Sequence, residues 1–440
     1  MKTMKISIFR TSAALLLSVI FVSACAGAKD IQRTFSWKFN VNRDANVAMV
    51  NYDCNLTIHT WDKAETEFRM TVDAETKSEE DTKTLENYLQ GLTFSNSPSS
   101  VTFNNTFWES RNTIMNKTTM KLKNGKTVNL VSMKISSELW IPSTCRFDLN
   151  SKYSQITMDD LSGPLTLDLY NDNLIGGNLF SDAEISDKYS TMEFSNTKNI
   201  RANIYSSKLN AGNSGNINIV SKYSRVNIKS CKTLTVNAYN DKYNIPQTED
   251  VTFTAKYSDL VTENSGNLKA DMYEGTITME NAGNVEIESK YALYMLSNAG
   301  KCSVSSSYND KLTSRKLTSL KVVQSKYSNF RIDIIDESVK DLDSYNDTFT
   351  ISETGNAFTG LTLTGKYTKT TLTLPAALSY HFKSVVKYPD FNINESAMKH
   401  ISKIVDGSDV KWDAIKGNGS EGIPVIEVNG YSMSLTINEK

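Results

Sequence analysis

Histidine, excess basic charge and long apolar runs are what this chain lacks. Three histidines occur in 440 residues, His59, His381 and His400, far apart and with no HExxH or Cys-His zinc spacing around them. No GxSxG elbow is present. Gly417-Asn418-Gly419-Ser420-Glu421-Gly422 matches GxGxxG, but Pro424 and a strand-like run follow it where a dinucleotide site needs a helix. It reads as a plain glycine loop. A formal net charge of −1 leaves no basic footprint for nucleic acid. Beyond a short stretch near the N-terminus, no segment is long and apolar enough to cross a membrane. Hydrophobic residues make up only 39%, which suits thin coils with much surface and little core.

What is present is a beat. The motifs SKYS, DLYND, DKYS, NIYSS, SKYS, NAYND, AKYS, DMYEG, SKYA, SSYND, SKYS, DSYND and GKYT place tyrosines at Tyr153, Tyr170, Tyr189, Tyr205, Tyr223, Tyr239, Tyr257, Tyr273, Tyr291, Tyr308, Tyr327, Tyr345 and Tyr367. From Tyr153 to Tyr345 are 192 residues in eleven intervals, about 17.5 each, none shorter than 16 or longer than 19. A fixed period this short marks a solenoid, whose coils bury their apolar faces only against one another.

Between Tyr223 and Tyr239, apolar residues alternate with polar ones at Val226 and Ile228, then at Leu234, Val236 and Ala238. That is the period of half-buried strands. At about 3.3 Å per residue the coil has a contour of ~58 Å, and some thirteen coils at ~4.8 Å make a rod of ~60 Å. The expected fold is therefore all-β: a single-stranded β-solenoid of about 13 rungs. Corners such as Asn213-Ser214-Gly215-Asn216, Asn264-Ser265-Gly266-Asn267 and Asn281-Ala282-Gly283-Asn284 carry residues that tolerate positive φ.

The rungs alternate between two classes. One carries lysine before tyrosine (Lys152, Lys188, Lys222, Lys256, Lys290, Lys326, Lys366); the other often carries Asn-Asp after it, as at Asn171-Asp172, Asn240-Asp241, Asn309-Asp310 and Asn346-Asp347. The inward series Val251, Phe253, Ala255 runs on to Tyr257, whereas Ala238 directly precedes Tyr239. One class should then point inward and the other outward, unless a bulge intervenes. Two readings of the ladder stand. Stacked tyrosines with ordinary corner residues are structural packing; a tyrosine row flanked by Lys and Asn-Asp is a groove for a glycan or a surface protein. The corners are also weak candidates for calcium.

Lys2, Lys5 and Arg10, the apolar Ala13–Val22 and small residues after it form a secretory signal. Val22-Ser23-Ala24-Cys25 resembles a bacterial lipobox, giving a signal peptide over 1–24 and lipidation of Cys25; cleavage near Ala26-Gly27-Ala28 is the competitor. The expectation is an exported lipoprotein held to a membrane by its N-terminal lipid, at the outer membrane, on its surface or periplasmic face. Cys231 and Cys302 lie about four rungs apart, ~19 Å along the rod, too far to pair. Cys54 and Cys145 both belong to the N-terminal part, as a disulfide or as two lone thiols.

Residues 25–148 read as a β-rich capping unit. Its one helix, Glu79–Gln90, is capped by Ser78 with Asp81 three residues on, and is ended by Gly91. The repeats occupy 149–375. Residues 376–440 form a C-terminal cap, with a short helix over Glu395–Val405 after Asn394 and a terminal hairpin of Val425–Asn429 and Ser432–Ile437 turning at Asn429-Gly430.

The run from Val50 to Asp62, containing Asn51-Tyr52-Asp53-Cys54 and ending Trp61-Asp62, is followed by Leu139-Trp140-Ile141-Pro142, by Phe147-Asp148-Leu149-Asn150-Ser151-Lys152-Tyr153-Ser154, and by Ile156-Thr157-Met158 leading to Asp160-Leu161-Ser162-Gly163. This resembles the putative-adhesin β-solenoid family of Bacteroidetes-type cell-envelope lipoproteins, over most of the mature chain. Ser154 stands where that pattern often has glycine. The resemblance implies a β-solenoid in the cell envelope and brings no catalytic residues, cofactor or metal. A polysaccharide-degrading β-helix would need clustered carboxylates; Asp159 with Asp160 and the Asn-Asp corners are the candidates, but the corners decorate the repeat evenly instead of breaking it once. The expectation is a non-enzymatic adhesin or surface-binding protein, with a periplasmic scaffold or sensor partner as the alternative.

Overall fold

A computed structural model describes residues 30–114, 117–419 and 421–440. The signal segment and Cys25 lie outside the described residues. The chain is an all-β solenoid of about 13 turns, in two compact units, one ending at Ser195 and one beginning at Asn196.

In the first unit, antiparallel strands lead into parallel rungs. Asp30–Asn40 pairs antiparallel with Glu65–Thr76, which pairs with Thr127–Pro142. The helix Glu79–Gln90 lies here as expected. The Ser78 hydroxyl accepts from the Asp81 N–H, the first turn is acidic, and Leu85 and Leu89 are buried. The solenoid starts earlier than the tyrosine beat suggests. Asn46–Tyr52 already stacks parallel on Arg146–Lys152, which stacks on Leu165–Tyr170, then on Leu179–Lys188. The period-2 pattern fixes this register, because a slip of one residue would turn every apolar side chain outward. The result is a buried column, Met49, Leu149, Leu167 and Ile185.

The second unit repeats the scheme with Ala202, Ile219, Val236 and Phe253 stacked in register and buried. Its C-terminal end differs from expectation. Glu395–Ala397 is only a short 3-10 turn, and Met398–Asp406 continues as a strand paired antiparallel with Asp409–Lys416. Extended β-branched residues (Ile401, Ile404, Val405) with a partner strand available outweigh local helix signals. Val425–Tyr431 and Ser434–Glu439 do not fold on each other as a hairpin. They run as consecutive sides of one rung, between the rung of Gly360–Lys366 and Lys369–Leu374 and that of Tyr380–Lys387 and Asp390–Asn392. The last segment of sequence is thus inserted out of order, with both edges paired.

The corners also correct the sequence expectation. Gly215, Gly266 and Gly283 are absent from the positive-φ residues. They are glycine because of crowding: an added Cβ would lie 2.1 Å from the Lys198 carbonyl oxygen at Gly215 and 2.0 Å from the Gly266 carbonyl oxygen at Gly283. The left-handed residues sit at the opposite corner, at the tyrosines. All four cysteines among the described residues are buried free thiols, so Cys54 and Cys145 are not joined.

Candidate functional site

The two tyrosine classes do not face opposite ways. In the lysine class the tyrosine itself is left-handed, with φ of 56° at Tyr223 and Tyr257 and 61° at Tyr291. In the other class the residue after the tyrosine is left-handed: Asn240 (56°), Glu274 (57°), Asn309 (56°) and Asn346 (56°). The left-handed position is the same in every rung, and its N–H donates to the last strand carbonyl of the next rung, as Tyr223 to Tyr239 (3.0 Å) and Asn240 to Lys256 (2.9 Å). One class of tyrosine thus ends a strand and the other occupies the corner. Both leave the molecule on the same side, the corner tyrosines of the second unit being 43–52% exposed.

The last strand position alternates tyrosine with lysine. Tyr205, Lys222, Tyr239 and Lys256 are consecutive register partners; so are Tyr308, Lys326, Tyr345 and Lys366. Within each unit the rings interleave into a herringbone. In the second unit, neighbouring centroids lie 5.4–5.7 Å apart at interplanar angles of 70–78°, from Tyr205 through Tyr367. Edge-to-face pairs of this kind contribute about 0.5–1.5 kcal/mol each beyond buried area. In the first unit, Tyr153, Tyr170 and Tyr189 stack likewise at 5.5 Å. The row is longer than the sequence reading. Tyr52 packs on Tyr153, and Tyr431 lies between Tyr367 and Tyr388. Lys387-Tyr388 carried the lysine-class signature; Tyr431 carried none, because its place comes from the out-of-order insertion.

Desolvation against neighbouring residues, with the charges of adjoining tyrosines, holds the Tyr257 and Tyr291 hydroxyls above the ordinary tyrosine range. They remain neutral donors across the physiological range. No ion pair involves Lys222, Lys256, Lys290, Lys326 or Lys366 among the described residues. The exposed face is therefore a strip of phenol hydroxyls and free ammonium groups.

The Asn-Asp corners are internal braces. Asp241 is buried; its Oδ1 accepts from the Ser224 N–H (2.5 Å), and its Oδ2 from the Ser221 hydroxyl (2.7 Å) and the Tyr239 N–H (2.9 Å). Asp310 accepts from the Ala292 and Tyr308 N–H groups and from the Ser289 and Ser307 hydroxyls. Burial still outweighs these bonds, raising the Asp172 carboxyl to about 6. Carboxylates turned inward onto backbone donors offer nothing to a solvent cation, so the calcium expectation at the corners fails. Asp159 and Asp160 are exposed and separately engaged, Asp159 with His59 Nδ1 (3.2 Å) and Asp160 with Asn178. The other histidines sit with Asp413 (His381) and Trp412 (His400). No cluster of three metal-ligating side chains occurs among the described residues.

The geometry defines a β-solenoid with an aromatic and basic spine. No family model matches this chain, and no curated protein does. One similar solved structure is described as a putative cell adhesion protein from Clostridium sporogenes; at 8% identity the match covers 93% of this chain and 100% of that one, with a TM-score of 0.20. So loose a likeness carries no functional argument.

Proposed function

We propose that this protein is a non-enzymatic, adhesin-like binding protein of the cell envelope, held to a membrane through lipidated Cys25 and using the tyrosine and lysine strip as its binding face. The observation that carries this reading is the convergence of both tyrosine classes on one exposed row. Edge-to-face packing accounts for the common face but has no need of the alternating unpaired lysines beside it, and exposed tyrosines are enriched at recognition surfaces. The secretory and lipobox pattern at residues 1–25 supports export and anchoring.

The test uses intact cells and the full chain. External protease should digest the solenoid while a periplasmic control survives. Tyr257→Asn and Tyr291→Asn, which keep a residue tolerant of the left-handed corner, should reduce binding of the purified chain to a glycan and surface-protein array while the fold persists. Protection from protease would overturn the surface reading and favour a periplasmic scaffold. Array binding indifferent to both substitutions would remove the ladder as the binding face.

A further inference from the structure

Two open grooves along the strip meet at the rung of Tyr273. Tyr239, Tyr308 and Tyr345 are each followed by Asn-Asp, with the aspartate buried; Tyr273 is followed by Glu274-Gly275. Gly275 has φ of 139°, and a Cβ there would lie 2.1 Å from the Ser258 carbonyl oxygen. The buried carboxylate of the Tyr239, Tyr308 and Tyr345 rungs is missing here, as it is after Tyr205 with its Ser206-Ser207, and in the second unit at Glu274 alone a carboxylate stands on the surface in the left-handed corner of this class. On one flank, a groove of about 450 Å³ is lined by Lys222, Tyr239, Lys256, Tyr273 and Lys290, together with Asp271 and Glu288. On the other, a groove of about 550 Å³ is lined by Tyr223, Tyr257, Asp259, Glu274 and Gly275. Between them stands the wall of Tyr239, Tyr257 and Tyr273 rings.

Resting on the binding-face reading above, we propose that this stretch is a subsite for an extended polysaccharide bearing one anionic group on every second sugar. Four features select that ligand. The grooves are shallow and run across rungs, so they suit a polymer. The strand backbones beneath are paired on both sides, so a peptide could not add main-chain bonds as an extra strand, and recognition falls to side chains. Lys222, Lys256 and Lys290 recur every second rung, ~9.6 Å apart, about the length of one disaccharide in an extended chain. Between them, Tyr239 and Tyr273 offer ring surface and hydroxyls. Finally, Asp271 and Glu288 are register partners, exposed, and hold neither an ion pair nor a hydrogen bond among the described residues. They are placed to accept hydroxyls from the uncharged sugars. Glu274 serves likewise on the far flank.

Titration calorimetry of the full chain with three oligosaccharides tests this: hyaluronan (alternating uronate and N-acetylhexosamine), oligogalacturonate (an anion on each sugar) and cello-oligosaccharide (neutral). Hyaluronan should bind best, and its affinity should fall as salt rises. Lys256→Glu with Lys290→Glu should weaken it about tenfold, ~1.4 kcal/mol, and Asp271→Asn with Glu288→Gln should weaken it less. Lys63→Glu, in the other unit, should change nothing. These positions are exposed, so circular dichroism should be unaltered. Equal binding of the neutral oligomer, indifference to the lysine reversals, or no binding of hyaluronan overturns the subsite. The binding-face reading survives such a result if another array ligand is lost in Tyr257→Asn; it falls too if none is.

Discussion

Asp241 closes its own rung onto the one before: its carboxylate takes the Ser224 N–H at 2.5 Å, and its own N–H goes to the Ser258 hydroxyl at 3.0 Å in the rung after. The same position holds Asp310 and Asp347, with Ser328 donating to Asp347 at 2.6 Å. A residue that reads in sequence as a solvent corner is a three-rung clasp.

Removing a clasp should cost more than a surface change. Asp241→Ala strands the buried Ser224 N–H and the half-buried Tyr239 N–H, leaves the Ser221 hydroxyl only its Tyr243 partner, and should destabilise by about 2–4 kcal/mol. Asp241→Asn keeps acceptor capacity and should cost less. Urea unfolding of both variants beside the parent checks the order; equal, negligible losses would show that the clasp contributes nothing.

Asp341 is the opposite case. It is fully buried between Val322 and Leu363, with no hydrogen-bond partner for either oxygen, and burial chiefly raises its carboxyl to about 7. Its folded value lies above the unfolded one of about 4. Its contribution is therefore most favourable below pH 4 and is lost as pH rises toward 7. Asp341→Val should raise the melting temperature, and the gain should grow between pH 4 and pH 7. A pH-independent effect would contradict this sign.

The left-handed corners discriminate among replacements. Tyr223→Asn loses two ring contacts but keeps a residue suited to φ of 56°. Tyr223→Val also forces a β-branched residue into that region, adding about 1–2 kcal/mol. Thermal melts should rank parent, Asn, then Val.

The inserted terminal rung makes a stronger claim. Deleting residues 425–440 removes the strands that join Gly360–Lys366 to Tyr380–Lys387. Hydrogen exchange at 360–374 and 380–392 should rise sharply while the rungs before Tyr327 stay protected, since solenoid stability is local. Unchanged protection at 360–374 would refute the insertion.

Much of this was legible in order of sequence. The 17.5-residue beat, the alternation of Val226, Ile228, Leu234 and Val236, and the Ser78 cap are local patterns whose physics is local, and the solenoid followed from them. The ladder's tyrosines were countable, but their common direction was not. A left-handed residue displaced by one place cancels the phase difference between Tyr257 and Tyr239, and φ is set by the rung above as much as by the residue. The inward aim of Asp172 and Asp241 was hidden for a similar reason, since their donors come from a neighbouring coil. Val425–Glu439 looked like a hairpin because turn signals are read between sequence neighbours, whereas its partners lie 65 residues back, at Gly360 against Val425. Period and composition belong to the chain by itself; facing, burial of charge and order of stacking are decided only when coils meet, because each depends on hydrogen bonds that cross from one coil to another.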